Sequence, residues 1–232
     1  MEYKVYETLY HNRHILIDNG SGRIIIDTGS PCSIHKDGVI ELAGKSFEVP
    51  TSLTGVDADF LTKNVGCEIV GLLGMDIIDK CQMWINTKGF GNFISFDKPA
   101  RDFPGWPEVT DFFAINIPGI TLEINHRPAR MLFDTGAQIS YIRKDYLVDA
   151  PFVGTAKDFS VLNEGEIYEV EMYSAKTTFR GKEFNVNYAA SPKDIDLSLD
   201  LLGADGIIGF DLIENFRIIV NKGYVWLPPQ GI

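Results

Sequence analysis

The feature that most constrains the fold of this chain is a repeated segment. "ILIDNGSGRIIIDTG" at residues 15–29 aligns without a gap on "LEINHRPARMLFDTG" at residues 122–136. Each copy reads as a strand, a tight turn and a second apolar strand that ends in Asp-Thr-Gly. The pattern places the turns at Asn19-Gly20 and at Arg127-Pro128. The repeat therefore predicts two related β-rich units in one chain.

A second repeated motif follows each Asp-Thr-Gly. "GLLGMDIIDK" at residues 71–80 matches "GIIGFDLIEN" at residues 206–215, and both run into strand patterns, "QMWINTKGFGNFISF" and "RIIVNKGYVWL". We predict an all-β, bilobal chain with an N-terminal lobe at residues 1–100 and a C-terminal lobe at residues 112–232. Residues 101–111, rich in proline and charge, would link the lobes.

The spacing of the motifs differs between the copies. The Asp-Thr-Gly motifs lie 107 positions apart and the Gly-Φ-Φ-Gly motifs 135 apart, so the second lobe carries 28 additional residues between them. "VIELAGKSFEVPTS" resembles "TTFRGKEFNVNYAAS", both hairpin-like with a Gly-Lys turn, which places most of the surplus between residues 141 and 176. There, "FSVLNEGEIYEVEMY" alternates apolar and polar residues around 163–166. This predicts a β-hairpin in the second lobe only, with no flap in the first.

Composition narrows the class of protein. Hydrophobic residues make up 45% and charged residues 23%, which is typical of a soluble globular protein with a core. No apolar run approaches the roughly 18 residues that span a bilayer. The net charge of −11 argues against nucleic acid or an anionic membrane as partner, because both need a basic surface.

Cysteine and histidine give no sign of a metal or cofactor site. The three cysteines form no CxxC pair, and the four histidines show no ligand spacing. The absence of GxSxG argues against a serine hydrolase. We expect no metal and no cofactor, and thiols in a reducing compartment.

The N-terminus "MEYKVYETLY" lacks the basic and apolar regions of a secretory signal, so we expect a cytoplasmic protein. Because few residues precede the first Asp-Thr-Gly, we also expect no long inhibitory pro-segment.

The paired motifs have a chemical interpretation. If Asp27 and Asp134 meet at a pseudo-two-fold axis, two carboxyls about 3 Å apart share one proton. The charged member can deprotonate a water while the protonated member polarises a carbonyl. Two residue pairs would support the loops. Thr28 and Thr135 would form hydrogen bonds across the axis, and Gly29 and Gly136 would allow a sharp turn in which their N–H groups reach the carboxylates. The alternative is a duplicated β-domain whose aspartates only cap turns.

The motifs Asp27-Thr28-Gly29-Ser30 and Asp134-Thr135-Gly136-Ala137, with the Gly-Φ-Φ-Gly runs, resemble the aspartic protease superfamily of pepsins and retropepsins over essentially the whole chain. The resemblance implies an all-β bilobal fold, water-mediated cleavage of peptide bonds and a flap over an extended peptide. The catalytic residues would be Asp27 and Asp134.

The chain departs from both subfamilies. Pepsins are longer and carry their flap in the N-terminal lobe, whereas retropepsins are dimers of short subunits that each carry a flap. Here two retropepsin-sized lobes are fused, so we expect an active monomer with one flap on the C-terminal lobe. The residues of this flap would contact the substrate, and they are Leu162, Asn163, Glu164, Gly165, Glu166, Ile167 and Tyr168. Tyr168 is the candidate for a pepsin-like flap tyrosine; alternatively it is an aromatic residue on a strand face.

We therefore expect an aspartic endopeptidase. Two alternatives remain: a non-catalytic peptide-binding module with the same fold, and a hydrolase of a non-peptide substrate. The loops also differ at one position, Ser30 against Ala137. A hydroxyl that donates to a carboxylate favours its charged form. The difference predicts that Ser30 makes Asp27 the more readily ionised member and leaves the shared proton on Asp134.

Overall fold

The structure is a computed structural model that describes residues 4–86, 92–95, 111–159, 165–214, 217–221 and 224–226. In these ranges the chain is mostly β-strand, as the sequence predicts, with a few short helices. None of those helices is long and apolar enough to cross a membrane.

The elements of the first half, in chain order, are β1 (Lys4–Tyr6), β2 (Thr8–His11), β3 (His14–Asp18), β4 (Arg23–Ile26), β5 (Ile34–His35), β6 (Val39–Leu42), β7 (Lys45–Glu48), β8 (Ser52–Leu53), β9 (Val56–Asp57), α1 (Ala58–Val65), β10 (Gly71–Leu73), α2 (Met75–Ile78), β11 (Gln82–Asn86) and β12 (Asn92–Ser95).

The elements of the second half are β13 (Asp111–Phe112), β14 (Pro118–Ile124), β15 (Arg127–Phe133), β16 (Tyr141–Ile142), β17 (Phe152–Phe159), β18 (Ile167–Phe179), β19 (Lys182–Ala190), α3 (Lys193–Leu202), β20 (Gly206–Ile208), α4 (Phe210–Ile213), β21 (Arg217–Asn221) and β22 (Tyr224–Trp226).

The repeated segments form matching strand pairings. In the first half, β3 and β4 form an antiparallel hairpin, and β4 runs parallel to β10 with Ile26 opposite Leu73. In the second, β14 and β15 form the hairpin, and β15 runs parallel to β20 with Phe133 opposite Ile208. β10 and β20 also pair antiparallel with β5 and β16. Each Asp-Thr-Gly thus follows a strand that pairs with a neighbouring strand on both sides. Apolar residues of these strands, such as Ile26, are completely buried.

Turn positions are partly as predicted. Asn19-Gly20 lies in the turn between β3 and β4. The predicted turn at Arg127-Pro128 is wrong, because both residues belong to β15 and the turn is Asn125-His126 with φ of 48° and 64°. A two-residue hairpin turn of this type needs positive φ at both positions, and the proline ring fixes φ near −65°.

The two hairpins with predicted Gly-Lys turns are present, but each turn begins one residue earlier. The turns are Ala43-Gly44 and Arg180-Gly181, with φ of 47° and 77° in the first and 52° and 77° in the second. The lysine after each glycine, Lys45 or Lys182, already pairs as a strand residue.

One sheet combines strands from both halves. Its order is β1-β12-β11-β21-β22, and β11 pairs antiparallel with β21 so that Met83 lies opposite Val220. The strand patterns after the two Gly-Φ-Φ-Gly motifs are therefore hairpins that meet edge to edge. Met83 and Val220 are fully buried in a core cluster that also contains Ile17 and Met131. The halves are consequently packed around a common core.

Two hairpins lie close to the cleft between the halves. β17 and β18 pair with Phe159 opposite Ile167, so the hairpin predicted in the second half is present. Three of the predicted flap residues, Leu162, Asn163 and Glu164, lie outside the described residues. The first half has a hairpin that the sequence did not predict, β8–β9, with a turn at Thr54-Gly55. Its last residue, Asp57, begins α1 by accepting a hydrogen bond from the Phe60 amide at 2.8 Å.

Candidate active site

The first Asp-Thr-Gly loop holds its carboxylate by backbone hydrogen bonds. The Asp27 amide donates to the Leu73 carbonyl at 2.9 Å, which continues the pairing of β4 with β10. Asp27 Oδ1 accepts from the amides of Gly29 and Ser30, both at 2.9 Å. The side chain is therefore fixed at the point where the strand ends.

The second loop repeats this arrangement. The Asp134 amide donates to the Ile208 carbonyl at 3.0 Å. Asp134 Oδ1 accepts from the Gly136 amide at 2.8 Å and from the Ala137 amide at 3.1 Å. Equivalent sequence positions thus make equivalent contacts in the two halves.

Each carboxyl lies over the glycine of the opposite loop. A Cβ atom on Gly29 would come within 2.2 Å of Asp134 Oδ2, and one on Gly136 within 2.6 Å of Asp27 Oδ2. Neither glycine has positive φ, so the requirement for glycine here is space and not backbone conformation. The structure therefore brings Asp27 and Asp134 together.

The two threonines link the loops as the sequence predicts. Thr28 Oγ1 donates to the Phe133 carbonyl at 2.6 Å and accepts from the Thr135 amide at 3.0 Å. In return, Thr135 Oγ1 donates to the Ile26 carbonyl at 2.7 Å and accepts from the Thr28 amide at 3.0 Å. Both threonines are completely buried. Four hydrogen bonds between the halves therefore fix the relative position of the two carboxyls.

Behind each loop lies a serine–aspartate pair that sequence reasoning missed. Ser33 Oγ donates to Asp76 at 2.6 Å and accepts from the Gly74 amide at 2.8 Å. In the second half, Ser140 Oγ likewise donates to Asp211 at 2.5 Å and accepts from the Gly209 amide at 3.0 Å. These bonds tie each Asp-Thr-Gly loop to the helix that follows Gly-Φ-Φ-Gly.

A signal for these pairs was present in the sequence. Ser33 and Ser140 keep the 107-residue offset of the Asp-Thr-Gly motifs, and Asp76 and Asp211 keep the 135-residue offset of the Gly-Φ-Φ-Gly motifs. Identity at matched positions of a repeat could therefore have identified all four.

The electrostatics of the two carboxyls are coupled. Burial raises the pKa of Asp27 well above its ordinary range, and the charge of Asp134 raises it further. Burial also raises the pKa of Asp134. Because the two carboxyls are buried side by side and hydrogen-bonded to each other, they share one proton and titrate as a pair.

The prediction that Ser30 makes Asp27 the ionised member is wrong. Ser30 Oγ donates to the Cys32 carbonyl at 2.8 Å, and only the Ser30 backbone amide reaches Asp27. The Ala137 amide makes the same contact to Asp134. The side chain at this position therefore does not distinguish the two loops electrostatically.

Both carboxyls open into a cleft of about 470 Å³. Its walls are mostly aliphatic and come from both halves; they include Ile25, Leu53, Val56, Leu61, Leu72, Ile117, Leu132, Leu202 and Ile207. A smaller cavity of about 200 Å³ adjoins the same carboxyls and is lined by Tyr141, Asp158, Tyr168 and Asp194. The two aspartates thus line both cavities, and the smaller one also exposes polar groups of the second half.

The β17–β18 hairpin reaches from the second half toward helix α1 of the first. Phe159, the last residue of β17, lines the cleft beside both aspartates. Its ring centroid lies 6.2 Å from that of Phe60 in α1 and 6.5 Å from that of His14. Gly165, near the hairpin tip, has φ of 78° and so little space that a Cβ would come within 2.8 Å of the Asn64 amide.

Of the other predicted flap residues, Glu166 and Ile167 are exposed, and Tyr168 lies beside the aspartates. The Tyr141 hydroxyl donates to Asp158 Oδ2 at 2.5 Å and lies 3.2 Å from the Tyr168 hydroxyl. Burial raises the pKa of Asp158 and raises that of Tyr168 to about 12. Sequence reasoning missed Tyr141 and Asp158, which tie the hairpin to the body of the sheet.

His14 also borders the cleft and is 2% exposed. Burial lowers its pKa to about 4, so the imidazole is neutral at physiological pH. Across the described residues, no three His, Cys, Asp or Glu side chains come together in a group that could hold a metal ion.

Comparison with known proteins gives a likeness of fold. No family model matches the sequence, and no curated protein matches it. The solution structure of simian foamy virus (mac) protease matches at 18% identity and a TM-score of 0.29, covering 39% of this chain and 86% of that one. A retropepsin-like aspartic protease from Rickettsia conorii matches at 18% identity and a TM-score of 0.37, covering 53% and 93%.

Basic 7S globulin from soybean matches over 100% of this chain and 96% of that one, at 7% identity and a TM-score of 0.55. The chain therefore shares its overall fold with that globulin.

Proposed function

We propose that this chain is an aspartic endopeptidase in which Asp27 and Asp134 act together on a water molecule. The observation that carries the proposal is the pair of carboxyls, delivered by matching loops, each seated over the glycine of the other loop. A structure that used these aspartates only to cap turns would not need four threonine hydrogen bonds to hold the loops together.

The protonation of the pair fits general acid–base hydrolysis. The ionised carboxyl of the pair takes a proton from the attacking water. The protonated carboxyl transfers its proton to the carbonyl oxygen of the scissile bond, and a tetrahedral diol forms. The carboxyl that took the proton from water then gives it to the amide nitrogen, and the C–N bond breaks. A hydroxyl of the diol returns a proton to the other carboxylate, which releases an amine and a carboxylic acid and restores the pair. No covalent enzyme intermediate is needed.

The lining of the cleft indicates the kind of substrate. Aliphatic side chains from both halves surround the carboxyls, so the residues beside the scissile bond would be apolar. The β17–β18 hairpin would act as the flap, with Phe159 and Tyr168 facing the bound peptide and residues 162–168 closing over it.

Both carboxyls belong to one chain, so a monomer would suffice for activity. We propose the lobes as residues 1–100 and 112–232, with the active site between them and a single flap on the second.

A peptide-library experiment tests the proposal. The protein is incubated with mixed-sequence peptides at about pH 5, with and without a statine-type inhibitor, and the products are sequenced by mass spectrometry. We expect cleavage between apolar residues that the inhibitor abolishes and EDTA does not. Peptide binding without cleavage would instead favour a non-catalytic peptide-binding module.

A further inference from the structure

A third cavity adjoins the candidate active site on the other side of Phe159. Its volume is about 550 Å³, and it shares Asp158 and Phe159 with the cavity that contains the two catalytic aspartates. It lies between the β2–β3 turn, helix α1 and strand β17, at the tip of the hairpin, where Gly165 and Ile167 contribute to its wall. A peptide that runs along the cleft under this hairpin would pass this cavity.

Three cations from three separate elements border this cavity: Arg13, Lys63 and Lys157. Arg13 lies in the β2–β3 turn, Lys63 in the last turn of α1, and Lys157 in β17. All three side chains are exposed. Their convergence is unexpected in a protein whose net charge is −11. We call Arg13, Lys63 and Lys157 the basic cluster.

The turn that carries Arg13 is held in place. Asn12 and Arg13 both have positive φ, 43° and 62°, as a two-residue hairpin turn requires. The Asn12 side-chain amide donates to the Val65 carbonyl of α1 at 2.6 Å, which fastens the turn to the helix that carries Lys63. The backbone positions of Arg13 and Lys63 are therefore held relative to each other before any ligand binds.

Acidic residues also lie near the basic cluster. Asp158 accepts the Tyr141 hydroxyl at 2.5 Å, and burial raises its pKa. Glu169 lies opposite Lys157 in the strand pair. Burial raises the pKa of Asp211, which accepts a hydrogen bond from the Ser140 hydroxyl and interacts with the charge of Arg13. Within the described residues, no cation of the cluster forms an ion pair closer than 4.0 Å with an acidic side chain.

We propose that the basic cluster is a subsite for a carboxylate of the peptide substrate, and that it makes the enzyme prefer an acidic group a few residues from the apolar scissile pair. This proposal rests on the proposed endopeptidase function. The carboxylate would be either a Glu or Asp side chain or the C-terminus of the peptide. The cluster would then set both the register of the peptide in the cleft and its affinity.

Binding to an inactive protein tests the subsite separately from catalysis. A fluorescent peptide that the wild type cleaves is varied by placing Glu or Gln at each position and by ending it in a free acid or an amide. Affinity for the Asp134→Asn protein is measured by fluorescence anisotropy. Exposed ion pairs are weak, so we expect Glu, or the free acid, to bind about three- to tenfold more tightly than its neutral counterpart at one position. High salt should reduce this ratio.

Two double variants show whether the basic cluster causes the preference for a carboxylate. In the double variant Lys63→Gln with Lys157→Gln, the ratio of the affinities for the acidic and the neutral peptide should fall close to one, while the affinity for the neutral peptide stays as in the wild type. The matched control, Lys36→Gln with Lys182→Gln, removes the same charge from exposed lysines outside the cavity and should keep the ratio.

Preference for Glu side chains or for the free acid identifies the source of the carboxylate, and both outcomes support the proposal. Three results would overturn the proposal: no preference for a carboxylate in the wild type, a preference that persists in Lys63→Gln with Lys157→Gln, or an equal loss of preference in the control double variant. Failure to bind or cleave the neutral peptide would instead refute the proposed endopeptidase function.

Discussion

Replacing Thr28 by valine tests whether the threonine hydrogen bonds hold the two loops together. Valine has nearly the same shape, but it removes the hydroxyl that binds the Phe133 carbonyl at 2.6 Å and the Thr135 amide at 3.0 Å. Thr28 is completely buried, so water cannot replace these bonds without rearrangement. An unsatisfied buried polar group costs about 1–3 kcal/mol, and two groups are affected. We expect the free energy of unfolding to fall by about 3 kcal/mol or more.

The assay is urea unfolding followed by circular dichroism, combined with kcat on a cleaved peptide. Thr28→Ser is the matched control, because it keeps the hydroxyl and loses one methyl group, at a cost of about 1 kcal/mol. The valine variant should also lose kcat, since the carboxyls would no longer be held at a fixed separation. Equal stability and equal kcat in the valine and serine variants would refute the reasoning.

Three further predictions concern the loops. Gly136→Ala should fold with reduced activity or fail to fold, because the added Cβ would displace Asp27; activity equal to wild type would contradict this close approach. Ser30→Ala should leave the pH dependence of kcat/KM unchanged, because its hydroxyl binds Cys32, and a displaced acidic limb would show otherwise. The pKa of Asp27 is raised in the folded protein, so the folded state binds this proton more tightly than the unfolded chain does. Asp27 therefore contributes stability below pH 3.8, its ordinary pKa, and this contribution is lost as the pH rises through the pKa of the folded state. Asp27→Asn should therefore raise Tm at pH 7, with a gain that shrinks toward about pH 4; a gain independent of pH would contradict the raised pKa.

Local sequence predicted the centre of the site well. The repeat, read with strand periodicity, was enough to place Asp27 and Asp134 at strand ends and to assign Thr28 and Thr135 a bridging role. These features depend on residues adjacent in sequence and on a pattern that occurs twice. The Gly29 amide reaches Asp27 at 2.9 Å as predicted. The need for space at Gly29 was not predicted, because the atom that requires it belongs to a residue 105 positions away in the other loop.

The surroundings of the site were harder to predict. The contact of Tyr141 with Asp158 joins β16 to β17, and neither residue belongs to a repeated motif. The sequence suggested Asp27 as the acceptor for the Ser30 hydroxyl, and only the fold of the loop shows that this hydroxyl binds the Cys32 carbonyl. Turns were misplaced by one or two residues where the φ values, and not the identity of a Gly-Lys or Arg-Pro pair, decide the geometry. Tertiary contacts thus determine what local patterns leave open.

The most direct test of the account compares kcat/KM for the wild type, Asp27→Asn and Asp134→Asn on one peptide that the wild type cleaves, with circular dichroism to show that each variant is folded. Positioned general acids and bases contribute about 10²–10⁴-fold each. We predict that each single variant loses at least about a hundredfold in kcat/KM while it remains folded and still binds the peptide. Cleavage at near wild-type rates by either folded variant would contradict the claim that the two aspartates act as one catalytic pair.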